Sequence, residues 1–209
     1  MNKLHVENGA KLKRRNLYSF FWLAVFLAAP LLGFSDNYSV NKTASKVNWE
    51  AKKVTGKHDG TIGFENGSLS ISGSKITGGE LVIDMKSIAC TDITDAGMNK
   101  KLVGHLWSDD FFSVEKFGTS KLNLKKVESK SGELYHFVGD LTIKGITQPI
   151  EFDAAVKVVG GKLTATGVMT VNRALYEIKY GSGSFFSDLG DRMIYDDFTL
   201  SFELVADKK

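Results

Sequence analysis

The sequence predicts an all-β domain, an antiparallel barrel of roughly eight strands with one helix inserted between strands. Three observations predict it. Apolar residues recur at every second position from residue 45 onward, the period that sends alternate side chains to opposite faces of a strand. The runs are separated by glycine-containing turn formers, and one stretch alone switches to helical spacing. About eight short strands of this kind commonly remove their exposed edges by closing into a barrel.

The chain begins with a different pattern. Lys11, Lys13, Arg14 and Arg15 precede an apolar run from Leu17 to Leu32, and Gly33-Phe34-Ser35 supplies a small-x-small cut site. This order is that of a secretion signal over residues 1–35, with an uncleaved anchor as the alternative. Export to the periplasm follows as the expectation, with residues 36–209 as one domain. Removing the signal takes away five basic residues (Lys3, Lys11, Lys13, Arg14, Arg15) and one acid (Glu7). Of the chain's 27 basic and 24 acidic residues, 22 and 23 remain, a formal net charge of −1. A nucleic-acid partner is therefore not expected, nor stable membrane insertion after cleavage. Cys90 is the only cysteine, so an internal disulfide is impossible and the core must supply the stability. The oligomeric state is open, a homodimer among the options.

In chain order, Val47, Trp49 and Ala51 alternate with polar residues. Between Phe64 and Leu69 the apolar parity flips at Asn66-Gly67, the mark of a bulge or tight turn. Leu81, Ile83 and Met85 resume the pattern. Further runs are Tyr135 to Ile143, Ile150 to Val158, Leu163 to Val171, and Phe198 to Leu204. Gly56, Gly60, Gly73, Gly78-Gly79, Ser131-Gly132 and Gly160-Gly161 are the expected separators, the last a strong hairpin signal. Met98, Leu102, His105 and Leu106 fall at helical spacing over Asp95–Leu106, with Thr94 as the expected N-cap. Ser108 to Phe112 should form a compact corner. A second irregular stretch, Arg173–Asp191, carries Tyr176, Tyr180, Phe185 and Phe186, which would plug the barrel or line its mouth.

No catalytic or metal-binding set stands out. His58, His105 and His136 are far apart, and Cys90 lacks a partner at motif spacing. Asp92 to Gly97 lacks the spacing and the terminal glutamate of a calcium loop. Gly181-Ser-Gly-Ser is glycine-rich but has neither a nucleophile elbow nor a phosphate-loop continuation. His105, with Asp109 or Asp110 orienting it, is the one acid–base candidate for a hydrolase or isomerase. Asp188, Asp191, Asp196 and Asp197 read as solvated turn carboxylates.

Four segments carry more information than their periodicity. They are Thr55-Gly-Lys-His-Asp-Gly-Thr-Ile62, His105-Leu-Trp-Ser-Asp-Asp-Phe-Phe-Ser-Val-Glu-Lys-Phe117, Gly139-Asp-Leu-Thr-Ile-Lys-Gly-Ile-Thr-Gln-Pro-Ile150 and Val171-Asn-Arg173. Together they resemble the YceI-like family of periplasmic polyisoprenoid-binding proteins, over roughly residues 37–206. The resemblance implies a lipocalin-like, eight-stranded antiparallel barrel whose apolar tunnel holds an isoprenoid lipid, such as a quinone tail or polyprenyl chain, without catalysis. Combined with the inward faces, it nominates Trp49, Ile62, Phe64, Leu81, Ile83, Met85, Phe137, Leu141, Phe152, Met169 and Phe202 as lining. Leu102, Leu106, Phe111 and Phe112 would cover one end. His105 and Asn172-Arg173 match motif positions as framework groups near the mouth. Phe117-Gly118 stands where the family often has Tyr-Pro, which implies a looser corner. Alternation by itself is equally compatible with a filled barrel that serves as a stress-response or interaction module.

Overall fold

The computed structural model describes residues 35–72 and 75–209; the segment read as a secretion signal lies outside them, except for Ser35. Nine antiparallel strands form one sheet: β1 Ser35–Val40, β2 Lys46–Lys53, β3 Gly56–Ser72, β4 Lys75–Cys90, β5 Thr119–Ser131, β6 Leu134–Ile143, β7 Ile146–Val159, β8 Lys162–Asn172 and β9 Ile194–Lys208. Each pairs with its neighbour along the chain from β2 to β9, and β2 pairs with β9, which closes the sheet. The expected eight staves and the nine strands agree because β1 and β2 share one place. β2 pairs with the first half of β3 and β1 with the second half, and both pair with β9. Closure leaves no long edge exposed.

The turns follow local chemistry. Gly160 and Gly161 join β7 to β8 with φ of 58° and 78°, the left-handed pair of a two-residue hairpin. Lys144-Gly145 does the same between β6 and β7, at 52° and 75°. The parity flip in β3 is a bulge, since Phe64 faces Ile83 and Asn66 faces the adjacent Val82, leaving Glu65 as the extra residue. Three expected separators are not turns. Gly60 lies inside β3, and Gly78 and Gly79 lie inside β4. At Gly60 the reason is a close approach: a Cβ there would sit 1.8 Å from the Ala89 carbonyl oxygen and 2.7 Å from the Trp49 ring.

The helix α1 spans Ala96–Trp107, and its N-cap is Asp95 rather than Thr94. Asp95 is extended, and its carboxylate accepts from the Met98 N–H at 2.8 Å, the bond that satisfies a first-turn donor. Asn99 pins the helix start to the end of β4, donating to the carbonyls of Cys90 and Ile93, both at 2.9 Å. The corner after the helix is closed by Ser113 and Val114, whose N–H groups donate to Ser108 and Trp107 carbonyls at 2.9 Å. At Phe117-Gly118 the corner is tied at both residues: Phe117 N–H donates to Ser113, and Gly118 accepts from Met85 N–H. Among the described residues no helix is long and apolar enough to cross a membrane.

The irregular stretch holds two short 3-10 turns, Arg173–Tyr176 and Gly190–Arg192. It both plugs and projects: Tyr176 and Ile178 are buried, whereas Tyr180, Phe185 and Phe186 are exposed. Val158, expected inward, is exposed with Val159, because β7 runs past the end of β6, whose last pairing is Leu134 with Ala155.

Candidate functional site: a two-chamber apolar interior

Inward side chains leave two neighbouring cavities that share a waist of five wall residues. The upper chamber, about 90 Å³, is walled by Phe64, Leu81, Phe137, Phe152, Met169 and Phe202 among others. The lower chamber, about 130 Å³, is walled by Trp49, Ile62, Met85, Leu106, Phe111, Phe112 and Phe198 among others. Val47, Ile83, Ser120, Leu141 and Leu200 line both. Period-two alternation accounts for most of this wall, since β2, β6, β7, β8 and β9 each send one apolar row inward.

Aromatic rings shape the upper chamber. Phe137 stacks on Phe152 across the β6–β7 pair, with centroids 5.2 Å apart, and Phe152 meets Phe202 edge-on at 5.8 Å. The lower chamber is covered by α1 and the following corner. β4 pairs with β5 only up to Asp84 opposite Thr119, so the wall beyond is completed by Leu106, Phe111 and Phe112.

All the nominated lining residues except Leu102 and His105 face one chamber or the other. Leu102 instead packs from α1 on the cluster of Trp49, Ile88 and Cys90. His105 lies outside the wall, clamped edge-on between Phe111 at 4.9 Å and Tyr180 at 4.6 Å, with Nε2 3.0 Å from Asp110 Oδ2. Its partner is thus Asp110; Asp109 accepts from Lys116 at 2.8 Å. The His105–Asp109 pairing does not form, because Asp109 is turned toward the corner's lysine.

Sequence reasoning missed several wall residues. Ser120, Leu122 and Leu124 form the inward row of β5, where the two leucines alternate with Lys121, Asn123 and Lys125 and make too short an apolar run to stand out. Ile194 also borders the lower chamber, beside Arg173, whose motif position marks it as framework near the mouth. Arg173 is 4% exposed and serves as framework. It donates to the carbonyls of Ile178, Tyr180 and Ile194 at 2.9, 2.9 and 3.0 Å and of Tyr195 at 3.2 Å. Its guanidinium lies 3.3 Å from Asp196 Oδ1. Burial pushes the Arg173 pKa down, and Asp196 opposes that shift. Asp196 and Asp197 are therefore strand residues with partners rather than turn carboxylates; Asp197, which is exposed, accepts from Asn172 at 2.9 Å. Asp188 and Asp191 are exposed, as expected.

The second polar cluster sits where β3 meets the end of β4. Asp92 accepts from the Asp59 N–H and from the Cys90 thiol, both at 3.1 Å, and lies 2.8 Å from His58 Nδ1. Burial pushes its carboxyl up, but the bonds from His58, Asp59 and Cys90 outweigh that and hold it at about 2. Burial pushes the Cys90 thiol up, away from the reactive thiolate. Among the described residues no group of three His, Cys, Asp or Glu side chains is placed to hold a metal ion.

The comparisons with known proteins agree with this architecture. The BcnA protein of Burkholderia cenocepacia superposes with a TM-score of 0.65 at 22% identity, covering 79% of this chain and 98% of that one. A polyisoprenoid binding domain from Saccharophagus degradans superposes with a TM-score of 0.59 at 18% identity, covering 82% and 98%. These likenesses establish the shared barrel. In sequence, a UPF0312 protein of Photorhabdus laumondii is 34% identical over 122 residues, 58% of this chain and 60% of that protein. A UPF0312 protein of Serratia proteamaculans is 43% identical over 56 residues, 27% of this chain and 28% of that protein. The matched stretches thus span less than two thirds of either relative. The YceI-like domain model matches residues 38–206, from the middle of β1 to the end of β9, and the chain belongs to the family of YceI-like domains.

Proposed function

We propose that this domain is a non-catalytic binding or carrier protein for a long isoprenoid-type lipid, exported to the periplasm by residues 1–35. The observation that carries the reading is the pair of neighbouring apolar chambers inside the barrel. A chain laid through them gains about 0.8 kcal/mol for each buried methylene without needing a polar partner. The Saccharophagus degradans relative described as polyisoprenoid binding supports the same ligand class. The chambers of about 90 and 130 Å³ are small beside the roughly 300–1,000 Å³ of typical ligand pockets. A long chain therefore enters by moving wall side chains. Met85 and Met169, unbranched and adaptable, and the Phe137–Phe152–Phe202 set are the ones in its way.

Full-length protein purified from its native host without detergent and extracted with organic solvent should yield one isoprenoid species by mass spectrometry. Extracts that repeatedly give only background overturn the reading. Phe137→Asp should abolish loading, because the carboxylate would lie in the upper chamber without a partner. If that variant fails to fold, Ala165→Leu, which fills the same chamber, is the substitute; unchanged loading refutes the chamber as the site.

A second reading has one observation in its favour, the modest chamber volume. An eight-stranded barrel is narrow enough for side chains to fill, and a nearly filled barrel would serve as an interaction or stress-response module with no small ligand. The extraction experiment separates the two.

A further inference from the structure

Ser120 is the polar exception at the waist. Its neighbours in lining both chambers are Val47, Ile83, Leu141 and Leu200, all aliphatic. Ser120 is 7% exposed, and it occupies the inward row that continues as Leu122 and Leu124. Among the described residues its hydroxyl has one hydrogen-bond partner, the Met85 sulfur, to which it donates at 3.1 Å. A thioether is a weak acceptor, and a hydroxyl taken from water into apolar surroundings costs free energy unless it is well bonded. The wall shared by the two chambers therefore holds a weakly bonded donor in apolar surroundings.

The charges nearby narrow what that donor can meet. Arg173, the cation bordering the lower chamber, is committed to four backbone carbonyls and Asp196, and Lys121, which borders the upper chamber, alternates with Ser120 on β5 and is exposed. An ionised group at the waist would be buried without a counter-charge, which is far costlier than burying a neutral oxygen. The lower chamber offers Trp49, Phe111, Phe112 and Phe198 as walls, flat surfaces suited to a compact ring or carbonyl group.

Building on the tunnel reading above, we propose that Ser120 is the specificity-determining contact of the site. Its hydroxyl turns from Met85 to donate to a neutral oxygen of the lipid. The ligand is thus an apolar chain joined to a compact uncharged carbonyl-type group, and neither a bare hydrocarbon nor a phosphorylated lipid. One neutral hydrogen bond of this kind changes affinity by about two- to tenfold.

The test titrates the full-length, delipidated protein with three probes of similar chain, following Trp fluorescence: geranylgeranylacetone as the ketone, phytane as the hydrocarbon and geranylgeranyl phosphate as the anion. Wild type should prefer the ketone, and bind the phosphate at least about a hundredfold more weakly, given the cost of an unpaired buried charge. Ser120→Ala should weaken the ketone by about two- to tenfold and leave the hydrocarbon unchanged. An equal effect of Ser120→Ala on ketone and hydrocarbon, or no effect on either, overturns the role of Ser120 while leaving the tunnel standing. Phosphate binding as tight as the ketone overturns the neutral-ligand assignment. Binding of none of the three by wild type overturns the tunnel reading and this inference with it.

Discussion

Asp92 ties three parts of the chain together: His58 on β3, the Asp59 backbone, and the Cys90 thiol at the end of β4. Its carboxyl is held at about 2 against an ordinary 3.8. The folded pKa is depressed, so the contribution is fully present above about pH 4 and is lost as pH falls through 2. The side chain is 26% exposed, and solvent screening keeps the gain near 1 kcal/mol. Asp92→Asn should therefore cost about 1 kcal/mol in urea unfolding at neutral pH. The gap from wild type should close on acidification from pH 4 to pH 2, across the interval between the two values. A gap that stays constant would show that the charge on Asp92 is not what the site uses. None of this was legible in the sequence. His58 and Asp92 are 34 residues apart, and only the β3–β4 register brings them into contact.

At the scale of elements, the β2–β3–β4 contact shows how one strand dictates a residue on the next. Trp49 on β2 lies opposite Gly60 on β3, and its indole N–H reaches across to the Ala89 carbonyl on β4 at 3.1 Å. A side chain at position 60 would occupy the space of that indole and of the carbonyl it bonds. Gly60→Ala should destabilise by about 3 kcal/mol, the upper range of overpacking. Gly104→Ala serves as the opposing control: on α1 a Cβ meets nothing within 4 Å, so it should stabilise by about 1 kcal/mol through helix propensity. Thermal unfolding checks both, and equal shifts would refute the packing account. Glycine counts for two different things here. At Gly160-Gly161 it marks a turn that the sequence announces, and at Gly60 a close approach that the sequence cannot distinguish from one.

At the scale of the whole molecule, the barrel closes through a stave made of two pieces. β1 covers the second half of β3 and the end of β9, burying Tyr38 and Val40 at 4% and 8% exposure. Deleting Ser35–Val40 would leave Ser68–Ser72 and Ala206–Lys208 unpaired along that seam. Loss of the two buried side chains alone should cost about 4 kcal/mol, and the opened edges should promote association. Denaturant unfolding and size-exclusion chromatography of the deletion variant check this. Full stability would mean that β2 alone closes the seam. The strand went unnoticed in sequence because six residues with two apolar members give no sustained period.

Alternation, turn glycines and one helical interval were enough to determine an antiparallel barrel, its inward rows and the hairpins at Ser131-Gly132 and Gly160-Gly161. These are local properties, set by the two-residue pleat and by backbone angles that few residues adopt. The same rows also named much of the chamber wall in advance, but not the β5 row of Ser120, Leu122 and Leu124. Tertiary structure alone decided that the rows stop short of filling the interior, that Ser120 stands at the waist between two chambers, and that His105 clamps the outside instead of facing in. Those outcomes depend on barrel closure, on the bulges that set its register, and on which rings meet across it. Such contacts join residues far apart in the chain, so no window of sequence contains them.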